Sequence, residues 1–302
     1  MRARHLILLC AGAIACGASG LQQSPAPRFD GARAFAHVRE QVAIGPRPAG
    51  SAGAQRTRAY ITAHLKSLGI NTEEQAFEAQ TPIGKIRMVN VRATLPGSSG
   101  ATGPRLIIAS HYDTKLFKEF PFVGANDGGS STAVLLELAT ALKDRKFALP
   151  IELLFFDGEE AVVDWNQNQD NTYGSRYYVE AARKSGGLKD IRALVLVDMV
   201  GDRDLRIQRE PGSTAWLTDT IWAAAKRIGR AQFVDDQFAV EDDHVPFLRA
   251  GVPAVDLIDL DYPAWHTADD TLDQVAPESL QAVGDVLIAA LPDLMERIGK
   301  QP

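Results

Sequence analysis

Cysteine is nearly absent from this 302-residue sequence, which has only Cys10 and Cys16, both close to the N-terminus. A framework of disulfide bonds is therefore excluded for the rest of the chain. Long charge runs, low-complexity tracts and internal repeats are also missing. Basic residues are outnumbered, 32 against 38 acidic ones, so we expect no nucleic-acid partner, since a general nucleic-acid binder should be basic. What remains, 45% apolar and 23% charged residues, is a globular composition.

The apolar stretch near the N-terminus, residues 6–15, is too short to span a bilayer comfortably. Because Arg2 and Arg4 precede it and small residues follow, residues 1–16 are predicted to be a secretory signal peptide. The sequence around Cys16 also resembles a bacterial lipobox, so plain secretion and lipidation of Cys16 both stay open. We expect an exported protein, periplasmic or secreted, that reaches a membrane only through such an anchor.

Residues 17–28 are predicted to be a flexible spacer, and 29–302 a single domain, because no linker divides them. Short apolar runs that indicate buried strands lie at 106–109, 151–156, 193–197 and 253–258. Helical periodicity is present at 29–44, after Ser51, and at 130–142, 213–228 and 277–298, and two extended runs lie at 72–80 and 85–95. Strands that alternate with helices predict an α/β fold with a largely parallel sheet covered on both faces.

Polar residues follow three of the predicted strands. His111 and Asp113 come after the first, Glu159 and Glu160 after the second, and Asp198 after the third. In an open α/β sheet the ligand crevice lies beyond the carboxyl ends of the strands. We therefore expect these side chains to meet at one edge of the sheet.

Asp127, in a glycine-rich loop, and His266, after a later apolar run, extend this set. Crowded carboxylates repel one another and resist desolvation, and a divalent cation relieves both costs. Mixed imidazole and carboxylate ligands favour zinc, with manganese and iron left open. Of the adjacent Glu159 and Glu160, one can bind the metal while the other transfers a proton.

Each of these residues also has an ordinary structural interpretation. Asp127 could cap the helix that follows it, and the two adjacent glutamates could begin a solvated helix. A single residue would be explained well enough in that way. The recurrence of such residues at the same structural place favours a functional site.

Several motifs resemble the M28-type zinc aminopeptidases and their relatives, the glutaminyl-peptide cyclotransferases. The motifs are His111-Tyr112-Asp113, Gly124-Ala125-Asn126-Asp127, Asp157-Gly158-Glu159-Glu160-Ala161, Asp198 and His266-Thr267. The resemblance runs from about residue 45 to residue 270. It implies a three-layer α/β/α sandwich with a mixed, largely parallel central sheet.

The two branches of this family differ in metal content. Resemblance to the aminopeptidases implies two zinc ions with Glu159 as general base, and the ligands would be His111, Asp127, Glu160, Asp198 and His266. Resemblance to the cyclotransferases implies one zinc on Asp127, Glu160 and His266, with His111 a ligand only if a second metal binds.

Three features favour the cyclotransferases: Trp165, six residues after Glu159; Trp265, directly before His266; and the segment 241–249, whose Asp242 corresponds to a cyclotransferase network residue. Two features depart from that branch. The loop 126–131 is more similar to an aminopeptidase loop, and Ser110 stands where animal cyclases carry a disulfide cysteine.

The resemblance therefore predicts cyclisation of the N-terminal glutamine of peptides or proteins to pyroglutamate, with release of ammonia, by a zinc enzyme. Separately, we expect a monomer. Glu159, Asp198 and Asp242 are the predicted catalytic residues, and Trp165 and Trp265 the predicted substrate-binding residues. The alternative is a di-zinc aminopeptidase that releases N-terminal residues. A metal-free binding module is a third interpretation, which the retained ligand residues disfavour.

Overall fold

The structure is a computed structural model that describes residues 28–98, 100–166 and 169–300. The predicted signal peptide, the candidate anchor at Cys16 and nearly all of the predicted spacer lie outside these residues. Within them, no helix is both long and apolar enough to cross a bilayer.

A mixed six-stranded sheet forms the centre of the fold. The strands of the described chain are β1 (Thr72–Thr81), β2 (Gly84–Leu95), β3 (Arg105–His111), β4 (Ile151–Phe156), β5 (Ile191–Asp198), β6 (Ile207–Arg209), β7 (Phe233–Gln237) and β8 (Ala254–Ile258). In the sheet their order is β1-β2-β4-β3-β5-β8, while β6 and β7 pair separately. Strands β4, β3, β5 and β8 run parallel, and the β1–β2 hairpin joins them antiparallel. The predicted mixed, largely parallel sheet is confirmed.

Helices cover both faces of this sheet. They are α1 (Gly31–Ile44), α2 (Ala52–Ser67), α3 (Gly129–Leu142), α4 (Tyr173–Ser185), α5 (Ala215–Arg227), α6 (His244–Arg249) and α7 (Pro277–Gly299), with 3₁₀ turns at Leu188–Asp190 and Leu272–Gln274. Because side chains alternate along a strand, Leu106 and Ile108 of β3 enter the core under α1, α2, α3, α5 and α7, whereas Ile107 and Ala109 enter the core under α4 and α6. This arrangement is the predicted three-layer sandwich.

Local sequence signals explain the first two helices. Asp30 caps α1 by accepting a hydrogen bond from the Arg33 backbone N–H, and Ser51 caps α2 by accepting one from Ala54. Such caps satisfy backbone donors that have no partner inside the helix. The helix predicted after Ser51 is therefore confirmed.

The parallel strands bring their carboxyl ends to one edge, as expected. His111 ends β3 in register with Phe156 at the end of β4, and Asp198 ends β5. The loops that leave these strand ends build the site.

Candidate active site

Two of the predicted residues meet directly at the strand ends. His111 Nε2 lies 3.1 Å from Asp198 Oδ1, which also accepts a hydrogen bond of 2.8 Å from the Met199 backbone N–H. His111 is 1% exposed, so this contact forms the floor of the site. Burial lowers the pKa of His111, but Asp198 and the neighbouring Asp113 and Asp127 outweigh burial and raise that pKa well above its usual value.

Asp127 lies in the loop before α3, and its geometry depends on two glycines. Gly124 has φ +50° and Gly128 has φ +72°, a region that costs glycine little. A Cβ at Gly124 would lie 2.5 Å from the Asp127 carbonyl oxygen, and one at Gly128 would lie 2.7 Å from the Asp113 carbonyl oxygen. Only glycine fits this turn at both positions.

The interpretation of Asp127 as a helix cap is wrong. The N-cap of α3 is Gly128, and no side chain makes a cap hydrogen bond there. The Asp127 carboxylate instead faces two imidazoles, with Oδ1 3.4 Å from His111 Nε2 and Oδ2 3.3 Å from His266 Nε2. The carboxylate is therefore directed into the site.

The adjacent glutamates do not begin a solvated helix either. Glu159 and Glu160 lie in the loop after β4 and are 7% and 4% exposed. Asp113 holds this loop, because its two carboxylate oxygens accept the backbone N–H groups of Glu159 at 3.2 Å and Glu160 at 3.4 Å. The paired residues reach the site through a loop that a third acid fixes.

Two overlapping groups of side chains have the geometry of metal ligands. One contains Asp127, Glu160 and His266, the other His111, Asp127 and Asp198, and within each group the ligand atoms lie within 4.8 Å of one another. His266 Nε2 is 3.2 Å from Glu160 Oε1. Burial lowers the pKa of His266, but its hydrogen bonds with Asp127 and Glu160 outweigh burial and raise that pKa to about 10. These acids thus favour a positive charge at this place.

Glu159 belongs to neither group. Burial raises its pKa well above the usual value for glutamate, and the charges of Asp242 and Glu160 add to this effect, whereas His111 opposes it. A buried carboxyl group that is not a metal ligand suits proton transfer.

Aromatic rings fix the orientation of His266. The Trp265 ring stacks on it with the centroids 4.4 Å apart, and Phe117 and Phe122 meet it edge-on at 5.7 and 5.8 Å. His266 itself has φ +55°, a conformation that surrounding contacts must hold in place. The two phenylalanines were not among the predicted site residues, because their only signal was their apolar character in the loop after His111.

Two further residues that were not predicted hold the loop of Asp127. Arg47, which is fully buried, donates to the carbonyl oxygens of Val123 and Gly124 in this loop, and to that of Tyr112 after β3. From the other side, Asp270 accepts the backbone N–H of Asp127 at 3.1 Å and that of its neighbour Asn126 at 2.8 Å. Their partners are backbone atoms, which leave no mark on sequence patterns.

A cavity of about 700 Å³ opens onto these groups. Its lining includes most of the predicted site residues: Asp127, Glu159, Glu160, Trp165, Asp198, Asp242, Trp265 and His266. The structure therefore gathers the predicted metal ligands, acids and tryptophans around one space, while His111 lies beneath them. Their individual roles stay predictions.

Comparison with known proteins agrees with this arrangement. Peptidase family M28 matches residues 90–291. The glutaminyl-peptide cyclotransferase-like protein of Bos taurus is 32% identical over 281 residues, which cover 82% of this chain and 72% of that protein. The chain belongs to peptidase family M28. Within this family, the glutaminyl-peptide cyclotransferase of Drosophila melanogaster is 33% identical over 265 residues, 78% of this chain and 73% of that protein.

A solved structure of the family shows the same fold. The crystal structure of Acidobacteriales bacterium glutaminyl cyclase superimposes with a TM-score of 0.85 and 37% sequence identity. The aligned region covers 96% of this chain and 100% of the chain in that crystal structure. The family resemblance predicted from the motifs is confirmed.

Proposed function

We propose that this M28 protein is a glutaminyl-peptide cyclotransferase, which converts the N-terminal glutamine of peptides or proteins to pyroglutamate and releases ammonia. The observation that carries the proposal is the cavity that Trp165 and Trp265 line together with Glu159 and a group of candidate metal ligands. The similarity to glutaminyl-peptide cyclotransferases over most of the chain supports it.

The donor set fits zinc. Asp127, Glu160 and His266 provide two carboxylates and one imidazole within 4.8 Å of one another, a three-ligand set that leaves a fourth position for substrate. We propose that these three residues hold one zinc ion. His111 and Asp198 contact each other at 3.1 Å and would serve the hydrogen-bond network instead of a second ion.

The chemistry that a bound zinc supplies is polarisation of the γ-carboxamide carbonyl of the substrate. Glu159 accepts a proton from the substrate α-amine, whose nitrogen attacks the carbonyl carbon of the γ-carboxamide, and returns the proton to the amide nitrogen that departs from the same carbon. The amine itself is the nucleophile, so the reaction needs no activated water. Ammonia leaves, and the five-membered lactam remains.

Two further acids assist Glu159 in this proposal. Burial raises the pKa of Asp242 to about 7, and the charge of Asp198 contributes to that shift. A protonated carboxyl group beside an ionised one can donate a hydrogen bond. We propose that Asp242 donates such a hydrogen bond and, together with Asp198, orients Glu159 and the scissile amide, while Trp165 and Trp265 form the walls of the glutaminyl pocket.

The alternative, a di-zinc aminopeptidase, rests on the second ligand group of His111, Asp127 and Asp198. It has less support, because the curated relatives described above are cyclotransferases.

Product analysis separates the two activities. Incubation with glutaminyl-alanine should yield ammonia and pyroglutamyl-alanine well above a no-enzyme control, with about one zinc per chain. Free glutamine and alanine, with about two zinc ions per chain, would refute the proposal.

We further propose export and a monomeric state, with 29–302 as the catalytic domain. After cell fractionation, mass spectrometry of the N-terminal peptide would distinguish a protein lipidated at Cys16 from one whose signal peptide is cleaved without lipidation. A cytoplasmic protein with an intact N-terminus would contradict export, and sizing by light scattering tests the monomer.

A further inference from the structure

A buried imidazole lies behind the active site, between two acids that the proposed mechanism does not use. His244 Nε2 is 3.4 Å from Glu210 Oε2, and His244 Nδ1 is 3.5 Å from Asp256 Oδ2. His244 and Asp256 are 0% exposed. Among the described residues, neither nitrogen of His244 and neither carboxylate oxygen of Asp256 has a partner in hydrogen-bond geometry. Buried polar groups in such a state are costly unless their mutual attraction compensates.

Hydrogen bonds also join the segments of the two acids through Ser213. Glu210 accepts from the Gly212 backbone N–H at 2.8 Å and from the Ser213 hydroxyl at 2.9 Å. The Ser213 hydroxyl oxygen in turn accepts the backbone N–H of Asp256 at 3.1 Å. The segment after β6 is therefore linked to β8 in two ways. One is the hydrogen bond between Ser213 and Asp256, and the other is the contact of the His244 imidazole with both Glu210 and Asp256.

His244 is connected to the catalytic cavity through the start of α6. His244 is the first residue of this helix, and Asp242, which lines the cavity, precedes it by two positions. Asp242 Oδ1 accepts the backbone N–H of Asp243 at 2.5 Å, and the Asp242 carbonyl accepts that of Val245 at 2.9 Å. The backbone on both sides of His244 thus holds Asp242, so clamping the His244 side chain fixes where the Asp242 carboxyl group lies.

His244 also affects the charge of Asp242. Burial and Asp198 raise the pKa of Asp242, whereas His244 lowers it. His244 is therefore close enough to Asp242 to influence its charge as well as its position.

We infer that His244, clamped between Glu210 and Asp256, is a positioning residue that sets the place of the Asp242 carboxyl group in the catalytic network. This inference rests on the proposed cyclotransferase function. His244 acts through Asp242 and is not assigned contact with the substrate or the metal.

The test is the substitution His244→Gln, assayed by ammonia release from glutaminyl-alanine. Misplacing a catalytic group by about 1 Å costs on the order of 10²-fold in rate, so kcat should fall by that order while KM and zinc content stay at the wild-type level. A purely structural role would instead lower the thermal midpoint and leave the kcat of the folded fraction unchanged.

Glu152→Gln is the matched control. Glu152 is equally buried and bonds Arg92 and Arg105, but it lies near the opposite end of β4 from the site. This variant should lose stability and keep wild-type kcat. If kcat falls as much as in His244→Gln, the effect is general destabilisation and the inference is wrong.

A double-mutant cycle with Asp242→Asn tests the route. If His244 acts through Asp242, the double variant should be about as slow as Asp242→Asn alone, and multiplicative losses would overturn the inference.

Should His244→Gln fail to fold, Glu210→Gln, which keeps the side-chain volume, should show the same loss of kcat. A wild-type kcat in Glu210→Gln would overturn the inference. Wild-type enzyme that releases no ammonia refutes the proposed function itself, whereas active wild type with fully active His244→Gln refutes only the role of His244.

Discussion

Arg47 is the residue whose replacement should reveal how the metal loop is held. Its guanidinium group is fully buried and donates to the carbonyl oxygens of Tyr112 at 3.1 Å, Val123 at 2.5 Å and Gly124 at 2.9 Å. Lysine keeps the charge but lacks the planar fork that reaches several acceptors at once. Arg47→Lys should therefore leave buried carbonyls without a donor.

The magnitude follows from these contacts. A hydrogen bond to a charged group contributes about 1.5–3 kcal/mol, so the loss of two of the three should lower the free energy of unfolding by about 3–6 kcal/mol, as measured by urea denaturation. Since Val123 and Gly124 begin the loop that carries Asp127, the zinc dissociation constant should also rise about 10–100-fold, the usual effect of removing support from a ligand. Competition with a chromophoric chelator measures this constant.

A matched variant separates the two effects. Arg105 is largely buried and pairs with Glu152 near the amino end of the sheet strands, so Arg105→Lys should lower stability without changing zinc affinity. If Arg47→Lys binds zinc as tightly as wild type, the assigned support of the metal loop is refuted.

Other variants test the remaining assignments. Glu159→Gln should keep the metal and lose about 10²–10⁴-fold in turnover, as expected for a lost acid–base group; near-full turnover would refute its role. His266→Ala and Glu160→Ala should each lose zinc on dialysis, and full metal content in either would contradict the ligand assignment. Burial lowers the pKa of His37 to about 4, so His37 stays neutral in the fold while the unfolded chain takes up a proton below pH 6.5. The free energy of unfolding should therefore fall between pH 6.5 and pH 4, by about 3 kcal/mol in total. Urea denaturation of His37→Gln should show a pH dependence that lacks this loss. If the variant has the same pH dependence as wild type, His37 is not its source.

Hydrophobic patterning predicted most of the sheet and the helices beside it. The runs at 106–109, 151–156 and 193–197 are all buried strands, because the parallel part of the sheet is covered on both faces and its strands need continuous apolar sequence. Because the apolar runs end where the buried strands end, they also located His111 at the end of β3 and Asp198 at the end of β5. The helix at Tyr173–Ser185 was not predicted.

The supporting contacts of the site were beyond sequence reasoning. Asp270 holds the backbone N–H of Asp127 across 143 positions of the chain, and Arg47 binds carbonyl oxygens. Neither contact depends on the identity of the partner side chain, so no pattern of residue types records it. His244 stood within the segment 241–249 that resembles a cyclotransferase, but its two acidic neighbours come from other strands and loops. Only the folded chain brings them together.

Titration of the metal-free enzyme with zinc tests the central claim most directly. The claim is that one zinc ion on Asp127, Glu160 and His266 supports cyclisation. Ammonia release from glutaminyl-alanine should be lost after chelation and return fully at one equivalent of zinc per chain, while Asp127→Asn should recover none. Full activity without metal, or activity that appears only with a second equivalent, would contradict the account.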